Sequence, residues 1–524
     1  MVTEYSYTNS VVPGSGDTGL IDAVTPRRIV RYVSGQGFTN SLVYRVVLKG
    51  ETRDITATTP GAAWNNPSNL VTITKTFTNG PFKGELDSVQ YPDGRLELHD
   101  YTTNALGTLR TNTVWSGESN AGATEIVRGS KSVQVVDLSG QEQSLASYDI
   151  ESGKLVGFVA YSQFDELNRP QKISHLDGSF ETRTYACCGL ETSVDRFGIA
   201  TLFTYDELKR VTGTTRAGIT QITRYNAAGD VTSEVRQGTD GSQVTLMRNG
   251  YDRAGRLSAT TNAAGAVTTF TTQYDASGQT VRNTTTAVGT AYEGTRVETS
   301  VRDGSLVKVT GTAVHGVRYL RNGLIQRSIP LDAAGNDTLE WTETETDIAG
   351  RSVATRTSLS ATDFAETRSF YNTKGRMIRQ VLPDGIVRLF AYNSVGEVEY
   401  GVLDMDRDGV IDFDGTDRIT QTVSDVVASH GFDVIRSRTY VWPTNSVDSR
   451  LLVSTSERSV DGLRSWFASF GLTNQTRLTY STNSTWHASS IAPNGSYSVS
   501  QYQNGYLLNV VTRDASGVQT LRVD

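Results

Sequence analysis

The chain lacks what would make it a disulfide-stapled, membrane-spanning or nucleic-acid-binding protein. It has only two cysteines, Cys187 and Cys188, and because they are adjacent no disulfide framework can be drawn. No run of 18 apolar residues occurs, which leaves no membrane-spanning helix and no expectation of membrane insertion. The opening MVTEYSYTNS lacks a basic stretch followed by an apolar one, so no signal peptide is visible. Proline is scarce, at 11, and windows rich in Ala, Leu, Glu and Lys, the strong helix formers, are missing. Basic patches are missing too. The net charge is −7 and the pI about 5.5, which argues against nucleic acid as a partner. Hydrophobic residues at 37% and charged residues at 20% are lean for a compact α/β enzyme, yet far from a disordered chain.

What the chain does have is glycine (49), tyrosine (23) and a heavy use of Thr and Val, a composition that favours strands. Its length suggests about three ordinary domains, a prior that a repeat array would break. A repeat is present. Its phrase is an aromatic, then Asp or Asn, two or three variable residues, Gly, a polar residue and an apolar one. It reads Tyr225-Asn226-Ala227-Ala228-Gly229, Tyr251-Asp252-Arg253-Ala254-Gly255-Arg256-Leu257 and Tyr274-Asp275-Ala276-Ser277-Gly278. It returns at Tyr371-Asn372-Thr373-Lys374-Gly375-Arg376 and Tyr392-Asn393-Ser394-Val395-Gly396. Degenerate copies start at Phe164, Tyr205 and Asp347; in the first two, Asn168 and Lys209 stand where the glycine should be. Phe164, Tyr185, Tyr205 and Tyr225 are 21, 20 and 20 residues apart, and Tyr371 to Tyr392 is again 21. A second turn falls midway, as at Asp177-Gly178 and Asp384-Gly385. A unit of about 20 residues therefore holds two turns and two short runs, one strand–turn–strand.

The runs alternate with period 2. Ile386, Phe390 and Tyr392 share one face, as do Ile199, Phe203 and Tyr205. The Asp or Asn after the aromatic is expected to accept a backbone N–H two residues on, and the glycine to supply positive φ. Lysine tolerates that conformation poorly, so the turn at Lys209 is expected to differ. Tyr205, Tyr251, Tyr274, Tyr371 and Tyr392 are expected at equivalent hairpin ends, each ring packed on its neighbour.

This phrase resembles the YD-repeat (RHS) family, which includes RHS proteins, wall-associated bacterial proteins, shell subunits of insecticidal toxin complexes, and teneurins. The resemblance is clear over about residues 160–400 and fainter at Tyr91-Pro92-Asp93-Gly94-Arg95 and Tyr502-Gln503-Asn504-Gly505. It implies an all-β fold of tandem β-hairpins in a long twisted sheet that curls into a spiral or partial cocoon. It also implies a structural role, as a toxin shell or cell-surface scaffold. Extracellular or surface placement follows, with an encapsulated polypeptide or a cell-surface protein or glycan as partner. Family members that release a toxin carry a core segment dense in Gly, Pro and Asp near the shell's C-terminus. Here no such segment is found, so the chain reads as part of a longer array or as a shell without its own payload.

The sharpest local motif lies outside the repeats. In Asp404-Met405-Asp406-Arg407-Asp408-Gly409-Val410-Ile411-Asp412, carboxylates occupy positions 1, 3, 5 and 9 of a loop, with Gly at 6. Calcium takes six to eight oxygens, and this spacing wraps them around one ion, with the Val410 carbonyl at position 7. The EF-hand pattern asks for Glu at 12, where Gly415 stands, so Asp414 or Asp417 must complete the shell. A structural Ca²⁺ held by Asp404, Asp406, Asp408, Val410 and Asp412 is expected, the alternative being a solvated acidic loop. No catalytic constellation is found; the best cluster for a polysaccharide lyase is His315 with Arg318, Tyr319 and Arg321, and a solvated hairpin edge explains it more simply. A carbohydrate-binding or carbohydrate-degrading protein on the same sheet remains the rival to the scaffold. Cys187 and Cys188 are expected to be buried or half-buried thiols. The resulting organisation is an N-terminal β region (1–150), a YD-repeat hairpin array (151–400), an acidic calcium-type loop (401–420) and C-terminal hairpins (421–524), roughly a dozen hairpins in all.

Overall fold

The computed structural model describes residues 2–6, 28–33, 38–48, 50–187, 189–442, 449–480 and 484–524. Among the described residues the elements are 41 strands, from Val2–Ser6 to Gln519–Val523, with no helix. This is the all-β array the alternating runs predict, although strands continue at the same density outside 151–400, so the array exceeds a dozen hairpins. Along three runs of the chain each strand pairs antiparallel with the next, as hairpins joined by short turns must. The pairing runs from Val2–Ser6 to Pro170–His175, from Phe180–Tyr185 to Ile325–Pro330, and from Phe364–Tyr371 to Gln519–Val523. The chain forms two compact units. One comprises residues 1–180, 345–354 and 366–524, and the other residues 181–344 and 355–365.

The repeat phrase builds one lock, used many times. After the aromatic, the Asp or Asn main chain closes a tight turn. The N–H of Asp252 bonds to the carbonyl of Arg256 at 2.9 Å and that of Gly255 to Asp252 at 3.0 Å. The Asp252 carboxylate accepts the N–H of Ala254, two residues on, and that of Arg256. The arginine that ends the phrase then turns back. Arg169, Arg210, Arg256 and Arg351 each place Nε within 2.8 Å of the Asp carboxylate of their own turn. Arg210 and Arg351 also lie over the aromatic ring of the next repeat, on Tyr225 at 4.6 Å and Tyr371 at 4.7 Å, and Arg376, whose own turn carries Asn372 in place of Asp, lies over Tyr392 at 5.2 Å.

The tyrosine hydroxyl completes the lock. Tyr205, Tyr225, Tyr251, Tyr371 and Tyr392 donate to the carbonyls of Leu190, Val211, Val231, Ser352 and Met377, at 2.7–2.9 Å. Each acceptor is the first residue of a strand. Each of these tyrosines also sits at a register shift of the ladder. Such bulges leave main-chain groups unpaired; the phenols of Tyr225, Tyr251 and Tyr392 reach Val211, Val231 and Met377, the residues opposite the shifts at Tyr205, Tyr225 and Tyr371. Tyr274 departs from the expectation. It is 76% exposed and its pairing shows no bulge. Ala259 pairs with Thr269, which places the strand start Leu257 opposite Thr271, three residues short of Tyr274. For Tyr205, Tyr225, Tyr251 and Tyr392 the acceptor lies opposite the residue just before the tyrosine, so here the ring overshoots it. The turn at Lys209 also corrects the sequence reading: Lys209 takes φ +63° and closes the same turn as Asn168 at +59°.

The core is thin because each sheet face is only partly covered. Ile199 is buried, as its face predicts, but in the run Ile386–Tyr392 the buried residues are Val387 and Leu389, at 7% and 4% exposure, while Ile386 is 40% exposed. The face chosen from the sequence was therefore the wrong one there. Val387 and Leu389 pack with Val402 and Ile419. Within the first unit, turn tips far apart in sequence also meet. Arg376 donates to the Asp93 carbonyl at 3.1 Å across 283 residues, and Lys154 pairs with Asp433 across 279.

Candidate metal centre

The acidic loop joins two paired strands, Val398–Asp404 and Arg418–Ser429, whose last pair is Leu403 with Arg418. Asp404 and Asp417 therefore stand side by side at the loop's base, and both are buried, at 3% and 7% exposure. The loop is pinned from within. Ile411 and Phe413 pack against the Val387–Leu389–Val402–Ile419 cluster, and the Phe413 ring lies 5.5 Å from Tyr400 and 5.3 Å from Trp442. With both ends and the middle fixed, the remaining backbone curls around the carboxylates.

Backbone N–H groups orient these side chains. Asp404 accepts from Arg407 at 2.6 Å and Gly409 at 3.0 Å; Asp417 accepts from Met405 at 2.9 Å and Asp412 at 3.1 Å. Asp406 accepts from Asp408, and Asp408 from Val410 at 2.7 Å. The turn passes through Arg407 at φ +66° and Gly409 at φ +83°. Carboxylate oxygens then gather in two triplets that share Asp406, one of Asp404, Asp406 and Asp417 and one of Asp406, Asp408 and Asp412, each within 4.8 Å. Among the described residues none of these five forms an ion pair with Lys, Arg or His. Burial raises the Asp412 carboxyl above its ordinary value, and the charges of Asp408, Asp406, Asp417 and Asp414 push it the same way. Uncompensated carboxylates this close are costly, and a cation among them would relieve the repulsion. The residues present could hold a metal ion.

The sequence named four of these carboxylates as a single shell, whereas the structure divides them and adds Asp417 to the buried side. Asp417 was one of two candidates to complete the shell; the other, Asp414, is exposed and belongs to neither triplet. Val410 presents a side chain 56% exposed, and its N–H is taken by Asp408.

The lyase-type cluster is not assembled. Arg318 and Tyr319 are neighbours on the strand Val317–Asn322, so their side chains leave opposite faces. Arg318 pairs with Asp337, Arg321 donates to Ser305, and His315 lies exposed before the strand. Cys187 is exposed rather than buried, and Cys188 lies outside the described residues.

No protein-family model and no curated protein sequence matches the chain. Solved structures do. The TcdB2-TccC3 crystal structure aligns over 93% of this chain with a TM-score of 0.51 and 12% identity. The Photorhabdus luminescens Tc holotoxin pore aligns over 93% with a TM-score of 0.48 and 12% identity, and a TcdB2-TccC3-TEV crystal structure over 94% with a TM-score of 0.39 and 12% identity. The chain spans about a third of the length of each, 32%, 31% and 32%. The first of these is a likeness of fold, and it accords with the resemblance of the repeat phrase to YD-repeat shells.

Proposed function

We propose that this chain is a non-catalytic wall of the YD-repeat type, which encloses a polypeptide or presents a surface outside the cell, with the acidic loop holding a structural Ca²⁺. The observation that carries the reading is the repeated lock of tyrosine, carbonyl, aspartate and arginine. It joins successive hairpins at five places, and the phrase's residues are spent on one another. Arg210, for example, is committed to Asp206, to the Tyr225 ring and to the Asn226 carbonyl. A sheet built this way is stiff and extensible, properties that suit a container. The fold likeness to TcdB2-TccC3 supports the same reading, and an encapsulated polypeptide is the partner it suggests.

Calcium is favoured over softer ions because the donor set is all oxygen, with no His or Cys among the five residues. The ion would be held by Asp404, Asp406 and Asp417 on the buried side, with Asp408, Asp412 and the Val410 carbonyl as further ligands. Its role would be to stiffen a loop that covers the Tyr400–Trp442 aromatic cluster.

The wall is tested by solution scattering on the purified chain. A compact globule of 524 residues has a radius of gyration of about 24 Å. A wall enclosing space gives a clearly larger value and a distance distribution depleted at its centre. A value at or below the compact one would overturn the reading.

A further inference from the structure

A second site lies in the first unit, away from the acidic loop. It is a groove of about 850 Å³ whose lining is half polar, with Trp115, Lys131, Tyr148, Asp100, Glu125 and Asp149 among its walls. The volume falls in the upper range of small-ligand clefts. We propose that this groove binds a neutral oligosaccharide.

The floor comes from strand register. Trp115 pairs with Lys131, and Lys131 with Tyr148, across the strands Leu109–Ser119, Ile126–Asp137 and Glu142–Asp149. Directly paired residues present their side chains on the same face, so the three make a row of ring, ammonium and ring. The Lys131 ammonium sits 5.6 Å from the Trp115 centroid and 5.8 Å from that of Tyr148. An aromatic platform with a hydrogen-bond donor fixed beside it suits a sugar, whose C–H face stacks while its hydroxyls bond at the edge. The rim supplies acceptors. Asp100 and Glu125 are exposed, and among the described residues neither is engaged in an ion pair. Asp149 is held in place by the N–H of Ser152 at 2.8 Å.

Charge selects the class. The rim carboxylates repel uronates and other acidic sugars. The Lys131 ammonium stands between the two rings, 5.6 and 5.8 Å from their centroids, and its charge repels a cationic ligand there. A peptide strand is disfavoured as well, because the strand carrying Trp115 is paired on both sides and offers no open edge. A neutral glycan is the class that remains.

The test uses the purified chain with three neutral trisaccharides (maltotriose, cellotriose and chitotriose) and one acidic trisaccharide, trigalacturonate. Binding is read by saturation-transfer NMR and calorimetry up to about 10 mM. At least one neutral trisaccharide is expected to bind and trigalacturonate not to. Trp115→Ala should weaken binding about tenfold. Trp115→Phe keeps a platform and should restore most of it. Asp100→Asn, at an exposed position that leaves the fold undisturbed, should weaken it several-fold. The proposal is overturned if no neutral trisaccharide binds, if binding survives both Trp115→Ala and Asp100→Asn, or if trigalacturonate binds better than its neutral counterparts.

Discussion

Replacing Asp417 by Asn separates a metal centre from an acidic turn that merely satisfies its own backbone. Asp417 is buried and accepts two N–H bonds, from Met405 and Asp412, so an Asn carbonyl retains part of that role while losing the charge. Without calcium, the loss of charge-assisted bonding and the relief from Asp404 and Asp406 oppose each other, and the net change should stay within about 1 kcal/mol. With calcium the outcome differs. An ion that binds only the folded chain contributes about 2.7 kcal/mol at a hundredfold excess over its dissociation constant. If the whole chain melts together, with an unfolding entropy of about 1.1 kcal/mol per kelvin, that is a rise of about 2–3 °C. The wild-type chain should show this rise and Asp417→Asn should lose it. The pH dependence follows from Asp412, whose carboxyl is raised by burial and by Asp408 and Asp406. A raised carboxyl favours the fold when protonated, and that benefit is lost as pH rises through its folded pKa. The calcium increment should therefore grow from about pH 4 to pH 7 as the protons leave. Differential calorimetry with calcium and with a chelator measures all of this. Equal melting temperatures in both conditions across that pH range, or an Asp417→Asn protein still stabilised by calcium as the wild type is, would refute the centre.

Four further substitutions test the repeat lock and its turn. Tyr392→Phe removes only the hydroxyl that serves the Met377 carbonyl and should cost about 1 kcal/mol. Tyr392→Ala should cost about 3 kcal/mol, while Tyr274→Ala, at a 76% exposed ring, should cost under about 0.5 kcal/mol. Denaturant titration measures the three, and equal costs at Tyr274 and Tyr392 would show that the lock contributes nothing. Lys209→Gly relieves a left-handed lysine at φ +63° and should stabilise the chain by about 1 kcal/mol in the same titration; a loss of stability would mean that the lysine side chain, and not the turn, holds that corner.

The fold was legible because its signals are local. The Asp or Asn side chain accepting an N–H two residues on, the glycine at positive φ and the alternating runs are all read within seven residues, and the structure repeats the first of these at Asp165, Asp206, Asp252 and Asp347. What failed needed knowledge of a neighbour. Ile386 and Val387 are equally apolar, and which of them is buried depends on the loop that brings Ile411 and Phe413 across the sheet. The exposure of Tyr274 follows from a two-residue slip in pairing that spacing does not reveal, since Tyr251 stands 26 residues after Tyr225 and still bonds the Val231 carbonyl. The arginine lock was present in the phrase, but its reach to the next repeat's ring is a product of strand packing. At the acidic loop the carboxylates were readable from spacing. Their division into two triplets was not, because it depends on Asp404 and Asp417 meeting at the ends of paired strands.

The contacts of Asp93 with Arg376 and of Lys154 with Asp433 bear on how the protein is made. Nearly every other bond in the ladder joins neighbours in sequence, so hairpins can form one after another as the chain leaves the ribosome, with little loop entropy to overcome. These two contacts cannot form until some 280 further residues exist. At ordinary elongation rates that is a delay of about 15–60 s. Through that interval Asp93 has its local bond to Arg95 but not its distant partner, so the ties between the early hairpins and the later ones are the last to form.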